Sequence, residues 1–320
     1  MSQITRIVHD IDDTSRTTDV DTGTVVLEAA PTPAEPLSYR ELFIEHHASF
    51  LRAFDAALEP GIVLAAVQST SGRFACMSLQ ARTERANAAI IGRHTRADLR
   101  LRGDDSVPLR HIAAVTFPHD LAGQTAPRVL LADLHTSQGF EDETGALRLA
   151  VLTEGPCLLR SGDHAVYCLP ARLARGLPTD PERAWEALPE RVHLERTRGI
   201  RPADTGMRTA AAPVRSGPGQ GTVSRVMPVQ PPVMLDPERL LERDEAPLGE
   251  LAIHTRTGTH RTLQVGRQAL RRGVLVGRYE RCVTPVLRSI ELDSISRVHL
   301  LLIELDGRHQ VSWTTAGGYA

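Results

Sequence analysis

Short apolar runs separated by turn residues occupy the central part of the chain. They lie at residues 62–68, 73–80, 88–92, 112–117, 129–132, 147–152 and 165–169. Runs of this length, bounded by Gly, Pro, Asn, Asp and Ser, are typical of β-strands. Many short strands with turns between them predict an all-β sandwich over residues 61–170.

The segment before this region has the spacing of a helix. Apolar residues from Phe43 onward recur every three or four positions, as on one helix face. Ser38 and Glu41 have the spacing of a capping box. We therefore expect a helix over residues 37–60. Residues 1–36 are rich in Thr, Asp and Pro, which predicts a disordered tail.

The strand pattern is lost between residues 171 and 246, which we interpret as a linker with short helices. Trp185 lies between prolines that suit a short helix, and Asp236 followed by proline is a good helix start. The Pro, Gly, Arg and Ser content of residues 197–232 is typical of a flexible linker.

Strand character then returns in a second region over residues 247–320. The runs lie at residues 251–255, 261–265, 273–277, 298–304 and 309–313. The predicted fold class is therefore mainly β: two β-sandwiches with an N-terminal helix and a Pro/Gly-rich linker.

The two strand-rich regions share one order of motifs. In the first, a strand ends in Gly92-Arg93 and His111 opens a later strand; in the second, Gly277-Arg278 and His299 repeat this order. A hairpin-like pair of runs precedes each motif. Internal similarity on this scale indicates two copies of one domain.

The second copy resembles a forkhead-associated (FHA) domain. In that family a strand ending in Gly-Arg is followed by Ser-x-x-His and then by an Asn-Gly loop. Gly277-Arg278 and Ser296-Arg297-Val298-His299 match the first two parts. The resemblance covers about residues 61–170 and 248–320. It implies a β-sandwich that presents a loop-built phosphothreonine site at one end.

The chemistry of such a site suits these residue types. A phosphate monoester carries nearly two negative charges and three acceptor oxygens, so it needs a fixed cation and oriented donors. The chain contains no lysine, and the planar fork of arginine suits a phosphate group. The resemblance implies phosphate contacts for Arg278 and Ser296, with Arg297 adding attraction. It gives His299 a buried structural role, and Gly277 a backbone role.

The end of the second copy departs from the family pattern. Residues 312–318 stand where the Asn-Gly loop is expected, with Gly317 at the Asn position and Thr315 in the same loop. We count both residues in the phosphopeptide-binding set. Because the chain stops at Ala320, further strands of a sandwich are missing. We expect either a truncated product or completion of the sheet by another segment or subunit.

The first copy lacks the serine of the motif. Pro108 stands in its place and has neither a hydroxyl nor a backbone N–H. Gly92 and His111 keep the structural positions of the motif. Arg93 also remains, and Ser106 lies nearby but out of register.

A later segment of the first copy, residues 133–139, resembles the family's Asp-x-x-Ser-Thr-Asn-Gly loop. It carries Ser137, and Gln138 replaces the asparagine. We interpret the first copy as a degenerate FHA domain that serves as a structural or protein-binding module. Weak phosphopeptide binding is the alternative.

Composition and charge exclude several other classes. The net charge is -2 with a pI of about 6.7, which lacks the basic surplus of a nucleic-acid-binding domain. The four cysteines show no CxxC spacing, so we expect no metal site. No P-loop, GxSxG or HExxH motif is present, so we expect no catalytic residues, no cofactor and no enzyme.

Two features of the sequence concern location. The N-terminus lacks a basic segment followed by an apolar run, and no apolar stretch reaches the roughly 18–20 residues of a membrane span. We therefore expect a cytoplasmic protein without membrane insertion.

The tail suggests a ligand within the chain itself. FHA domains resemble one another in reading phosphothreonine with the residue three positions on, and Thr18 is followed at that spacing by Asp21. Thr17 and Thr18 are therefore candidate phosphorylation sites for a self-binding switch. A plain solvated tail is the alternative.

Two functions follow from the resemblance. The first is a phosphothreonine-peptide-binding adaptor in bacterial Ser/Thr kinase signalling or secretion-system regulation, with a kinase or its substrate as partner. The second is a phosphate-independent assembly protein that uses both sandwiches as docking surfaces.

Overall fold

The structure is a computed structural model that describes residues 36–83, 86–119, 126–134, 136, 138–193, 223–234, 237–254, 260–277, 300–305 and 308–312. The helices are α1 (Tyr39–Glu45), α2 (His47–Asp55), a 3₁₀ helix (Ala171–Gly176), α3 (Pro181–Glu186), α4 (Pro237–Leu240) and α5 (Arg267–Arg272). The strands up to residue 170 are β1 (Gly61–Gln68), β2 (Phe74–Gln80), β3 (Asn87–Gly92), β4 (Leu99–Arg100), β5 (Ile112–Thr116), β6 (Val129–Asp133), β7 (Phe140–Asp142), β8 (Leu147–Arg148), β9 (Ala150–Thr153), β10 (Cys157–Ser161) and β11 (His164–Pro170). The later strands are β12 (Glu190–His193), β13 (Val223–Pro228), β14 (Val233–Met234), β15 (Gly249–His254), β16 (His260–Val265), β17 (Val274–Val276), β18 (Leu300–Leu305) and β19 (Arg308–Ser312).

The predicted mainly β fold class is confirmed by these elements. Residues 1–35 of the predicted disordered tail lie outside the described residues. Strands β4, β7 and β10 were not expected from the sequence pattern. The first two span only two and three residues, too short to show an alternation of apolar and polar positions.

Residues 61–170 form a β-sandwich, called the sandwich below. Sheet 1 has the order β2-β1-β11-β10-β7-β8, and the opposing sheet 2 contains β9-β6-β5-β3-β4. Neighbouring strands are antiparallel except β3 and β4. The core between the sheets is aliphatic and includes Leu64, Ile91, Ile112, Leu131 and Leu159.

Every residue of β1 is buried because both faces of sheet 1 are covered. Ile62 and Leu64 point into the sandwich core, whereas Val63 and Ala65 belong to a second apolar cluster on the outer face. Successive side chains of a strand point to opposite faces, so an apolar run without alternation requires cover on both sides.

Helices cover the outer face of sheet 1. The rings of Phe43 in α1 and Phe50 in α2 pack at a tilt with centroids 4.7 Å apart, and both contact Tyr167 of β11. The predicted capping box is present: Ser38 accepts from the backbone of Glu41, whose carboxylate accepts from the backbone of Ser38. The structure has two helices where one was predicted, because the helix is interrupted at His46, whose φ is -100° and ψ is 14°.

The predicted linker contains two strands that extend sheet 2. β13 pairs antiparallel with β9, and β12 pairs parallel with β13. Val226 is buried in the sandwich core. The expectation of a flexible linker over residues 197–232 is therefore wrong for β13, whose partner strand lies far away in sequence. The expected short helices are present as α3 and α4.

Strands β14–β19 with helices α4 and α5 form the C-terminal module. Sheet 3 has the order β14-β17-β18-β19, and β15 pairs with β16 as a separate hairpin. One face of sheet 3 carries Val274 and Leu302, which cluster with Leu263 and Val265 of the hairpin. The module thus has two layers of its own.

The other face of sheet 3 packs on sheet 2 of the sandwich. Leu275, Leu301 and Ile303 share one apolar cluster with Ala113 and Val115 of β5. Sheet 2 is therefore buried on both faces, as sheet 1 is. Among the described residues, sheet 2 of the sandwich thus covers this face of sheet 3.

The central strands of the module repeat the pairing of the sandwich. β17, β18 and β19 are joined antiparallel in the same order as β3, β5 and β6. Ile91 pairs with Ile112, and Val276 pairs with Leu300. In both pairs the residue before the Gly-Arg motif lies opposite the residue after the motif histidine. No helix in the described part of the chain could span a membrane.

Candidate ligand-binding loops

The loops that carry the motif in the sandwich meet where β3 ends. A side chain at Gly92 would place its Cβ 2.5 Å from the Leu109 carbonyl oxygen, so only glycine fits this crossing of two backbones. The backbone N–H of Arg93 donates to the Pro108 carbonyl at 3.2 Å. The Gly-Arg motif is thus held directly against the segment that precedes His111.

Arg93 is already bound within the protein. Its Nε donates to the Val107 carbonyl at 2.7 Å, and its Nη1 lies 3.8 Å from the Asp105 carboxylate. The side chain is 38% exposed, so the ion pair itself contributes little stability. The hydrogen bond nevertheless turns the guanidinium toward its own loop.

Ser106 is engaged as well. Its hydroxyl donates to Asp104 Oδ1 at 2.5 Å, and its backbone N–H donates to the same oxygen at 2.8 Å. The backbone of Asp163 donates to the other carboxylate oxygen. Burial acts to raise the pKa of Asp104, but these hydrogen bonds hold it below its usual value. A phosphate bound here would lie close to the negatively charged Asp104 carboxylate. The Ser106 hydroxyl already donates its hydrogen to Asp104 and is not available to donate to a ligand.

The segment aligned with the Asn-Gly loop is organised by Asp133. The backbone N–H of Thr136 donates to the Asp133 carboxylate at 3.0 Å, and the Thr136 hydroxyl donates to it as well. Gln138 is exposed, and Ser137 lies outside the described residues. Of the predicted degenerate site, Arg93 and Ser106 are thus engaged within their own loop.

His111 joins three parts of the sandwich. It is 1% exposed, and its Nε2 lies 2.7 Å from the Gly139 carbonyl, so this nitrogen carries the proton and donates. Its Nδ1 then accepts from the Ser161 hydroxyl at 2.7 Å. The Asp133 carboxylate lies 3.4 Å from Nε2. Burial lowers the pKa of His111, while Asp133 and Gly139 act against that shift.

This geometry makes His111 a positioning residue for the loops. It ties β5 to the end of β10 and to the β6–β7 loop through uncharged hydrogen bonds. The sequence patterns did not indicate its partner Ser161, nor the contact between the Asp104 carboxylate and the backbone of Asp163. A signal that could have found them is the glycine of a turn beside each residue: Gly103 precedes Asp104, and Gly162 stands between Ser161 and Asp163.

A basic cluster lies beside the Gly-Arg motif, on the β3–β4 turn and its surroundings. Partial burial and the charges of Arg110, Arg96 and Arg100 lower the pKa of His94. The sequence contains these arginines, but nothing in their spacing indicates that they converge.

The motif of the C-terminal module is only partly within the described residues. Gly277 is buried directly after β17. Outside the described residues lie Arg278, Ser296, Arg297, His299, Thr315, Gly317, Thr17 and Thr18. Because Val276, the last residue of β17, pairs with Leu300, the first residue of β18, the chain leaves β17 and enters β18 at the same end of these two strands.

Cysteine and metal chemistry have little support among the described residues. Cys157 and Cys168 lie opposite each other on β10 and β11 as free thiols. Burial raises the pKa of both, that of Cys168 to about 12, which keeps them protonated. No group of His, Cys, Asp or Glu suited to a metal ion occurs in the ranges that the structure describes.

Comparisons with known proteins return FHA structures. No protein-family model matches the chain, and no curated protein matches it. One similar structure is the FhaA FHA domain complexed with the intracellular domain of Rv3910, at 26% identity and a TM-score of 0.25, over 33% of this chain and 98% of that chain. Another is the FHA domain of the CT664 protein from Chlamydia trachomatis, at 17% identity and a TM-score of 0.27, over 34% and 96% of the two chains.

A third similar structure is Mycobacterium tuberculosis EmbR in complex with a low affinity phosphopeptide. It has 22% identity and a TM-score of 0.25, over 39% of this chain and 29% of that chain. Over about a third of its length the chain is thus similar to solved FHA domains.

Proposed function

We propose that the protein is a non-enzymatic, FHA-type phosphopeptide-binding adaptor in which the two copies have different tasks. The sandwich at residues 61–170 is the scaffold. The C-terminal module carries the phosphothreonine site, in which Arg278 supplies the guanidinium and Ser296 the hydroxyl. The observation that carries this division is the internal engagement of Arg93 and Ser106 in the sandwich.

The scaffold role rests on charge and burial. A phosphate at the motif end of the sandwich would have to displace Asp105 from Arg93 and approach Asp104, whose carboxylate stays ionised. Pro108 offers no donor in place of the missing serine hydroxyl. Both outer faces of the sandwich are covered, so it serves as a central layer onto which other elements are packed.

The ligand role of the C-terminal module rests on its strand register. β17 and β18 repeat the pairing of β3 and β5, and the Gly-Arg and Ser-x-x-His motifs flank that pair. Here the motif keeps its serine, and Arg297 adds a second cation beside it. Two arginines and a hydroxyl are a suitable donor set for a dianionic ester.

The partner on this proposal is a phosphorylated protein or peptide, such as a Ser/Thr kinase or its substrate in a bacterial cytoplasm. Similar structures support this class, because FhaA is complexed with an intracellular domain and EmbR with a phosphopeptide. Phosphorylated Thr17 or Thr18 would be a ligand within the same chain. Tethering gives an effective concentration near millimolar, so even a weak site would be filled.

A second candidate function is phosphate-independent assembly. It is favoured by the internal engagement of Arg93 and Ser106 at the motif of the sandwich and by the burial of both its sheets. On this alternative, the C-terminal module is also a docking element, and phosphate makes no difference to binding.

Titration with matched peptides separates the two. A threonine peptide with Asp three positions on is titrated into the full chain in phosphorylated and unphosphorylated forms. We expect the phosphorylated form to bind at least about tenfold more tightly, since charge-assisted hydrogen bonds favour it. This preference should weaken as salt is raised.

Two arginine variants test the division of tasks. Arg278→Ala should abolish the preference for phosphate, whereas the matched variant Arg93→Ala should retain it. Equal affinity of the wild type for both peptides would favour the assembly function. Loss of the preference in Arg93→Ala alone would assign the site to the sandwich instead.

A further inference from the structure

A cleft of about 280 Å³ lies between the sandwich and the C-terminal module. The sandwich contributes Phe117 and Arg128, and the module contributes Arg271, Arg272 and Glu304. Apolar side chains from sheet 2 and from β18 complete the wall. Gly92, Arg93 and Gly277 are not among the residues that line the cleft, and the proposed function does not use it.

The charges around the cleft are unbalanced. Glu304 is 4% exposed and is bound by Arg271 at 3.1 Å and Arg267 at 3.6 Å. On the opposite wall Arg128 lies 3.7 Å from Glu154. Arg272 adds a further guanidinium. Among the described residues of this region, four arginines therefore face two carboxylates, an excess of two positive charges.

Arg272 is the group that this arrangement leaves without a hydrogen bond. Its Nε is buried and has no hydrogen-bond partner among the described residues. A buried donor without an acceptor is unfavourable, and one beside other arginines is more so, because like charges repel. An anion in the cleft would satisfy the donor and offset the charge excess together.

The residues of the wall also indicate the chemistry of the rest of the ligand, called its body below. The guanidinium of Arg128 lies over the Phe117 ring, 4.8 Å from its centre, so this part of the wall combines an apolar ring with a cation. The volume lies just below the range of about 300–1,000 Å³ found for drug-sized ligands, so the site suits a small molecule.

We propose that this cleft binds a small phosphate monoester with an apolar or aromatic body. The ester carries nearly two negative charges, which matches the excess around the cleft. Its phosphate meets Arg272, and its body lies against the apolar wall formed with Phe117 and Ile303. Because the walls come from both parts of the protein, the bound ester links the sandwich to the C-terminal module.

The test uses phenyl phosphate as probe, with phenol and inorganic phosphate as partial probes. Calorimetric titration into the full chain should show saturable binding of phenyl phosphate. Each partial probe should bind at least about tenfold more weakly, since it lacks either the charge or the body. Arg272→Ala should weaken phenyl phosphate binding about tenfold or more. The matched variant Arg175→Ala, an exposed arginine paired with Glu59, should have no effect.

Two further variants make the result specific to the cleft. Glu304→Gln should tighten binding, because it removes a carboxylate from the wall. Binding should persist in Arg278→Ala, which separates the cleft from the proposed phosphothreonine site. Absence of saturable binding by the wild type, an unchanged affinity in Arg272→Ala, or loss of binding in Arg278→Ala would each overturn the proposal.

Discussion

The sandwich and the C-terminal module begin with the same arrangement of strands, but different elements cover their sheets. Each has a hairpin in one layer and three antiparallel strands in the other. In the sandwich, β7 to β11 complete both sheets. In the module, the described part of the chain shows no such strands, and sheet 3 instead lies between its hairpin and sheet 2 of the sandwich.

This difference shows what a β-sandwich requires. A half-sandwich leaves an apolar face that must be removed from water, and any apolar sheet of suitable shape can provide that cover. Here sheet 2 of the sandwich provides it for sheet 3. The contact therefore joins the region whose motif residues are internally engaged to the C-terminal module.

The strongest test of this dependence is Leu301→Ala. Leu301 is 1% exposed and lies in the cluster shared by sheet 3 and sheet 2. We expect a loss of about 3 kcal/mol in the free energy of unfolding, since truncation of a buried leucine leaves a cavity. Urea denaturation measures it, with the exposed Leu147→Ala as a control that should change little. A loss confined to the control would contradict the packing described.

A somewhat smaller effect is expected inside the sandwich. His111→Ala removes the partner of both Ser161 and Gly139, and buried groups left unpaired cost about 2–3 kcal/mol in all. Thermal unfolding measures the loss. Ser161→Ala, which removes only one of the two hydrogen bonds, should cost less. If both variants were neutral, His111 would not join the loops as described.

The crossing at the Gly-Arg motif gives a third test. Gly92→Ala would bring a Cβ to 2.5 Å from a backbone oxygen that cannot move away easily. We expect a cost of about 1–3 kcal/mol, the usual range for overpacking. Gly176→Ala is the matched control, because nothing lies within 4 Å of its added Cβ. Equal stability of the two variants would show that the backbones do not cross so closely.

The smallest effect is on the dependence of stability on pH. The folded-state pKa of His111 lies below its usual value of 6.5 because of burial. As the pH falls below that value, the unfolded chain takes up the proton first, so stability is lost on acidification and is complete at higher pH. Denaturation midpoints of wild type and His111→Ala between neutral and acid pH measure it. A slope that is the same in both proteins would contradict the assignment.

Much of the local structure could be predicted from sequence because it depends on near neighbours. The capping box of Ser38 and Glu41 involves residues three positions apart, and the helical spacing around Phe43 is equally local. The longer strands follow from apolar runs bounded by turn residues. The order of Gly-Arg and histidine in the two strand-rich regions likewise indicated a shared strand pairing, which the registers of β3 with β5 and β17 with β18 repeat.

The candidate site could be predicted only in part. Arg93 could be found as a motif residue, but its engagement by Val107 and Asp105 depends on how a loop folds back over the strand end. Pairing of β13 with β9 and burial of Val226 depend on a partner far away in sequence. Helix α5, between β16 and β17, was likewise not expected from the pattern.

By itself the sequence determined the mainly β class, the positions of the long strands, the N-terminal cap and the repeated motif. Only the tertiary structure decided which faces are covered, which arginine is already bound and where unlike parts of the chain enclose a cleft. The physical reason is that strand and cap signals arise from the period of side chains along a backbone, whereas burial and charge balance depend on which distant surfaces meet.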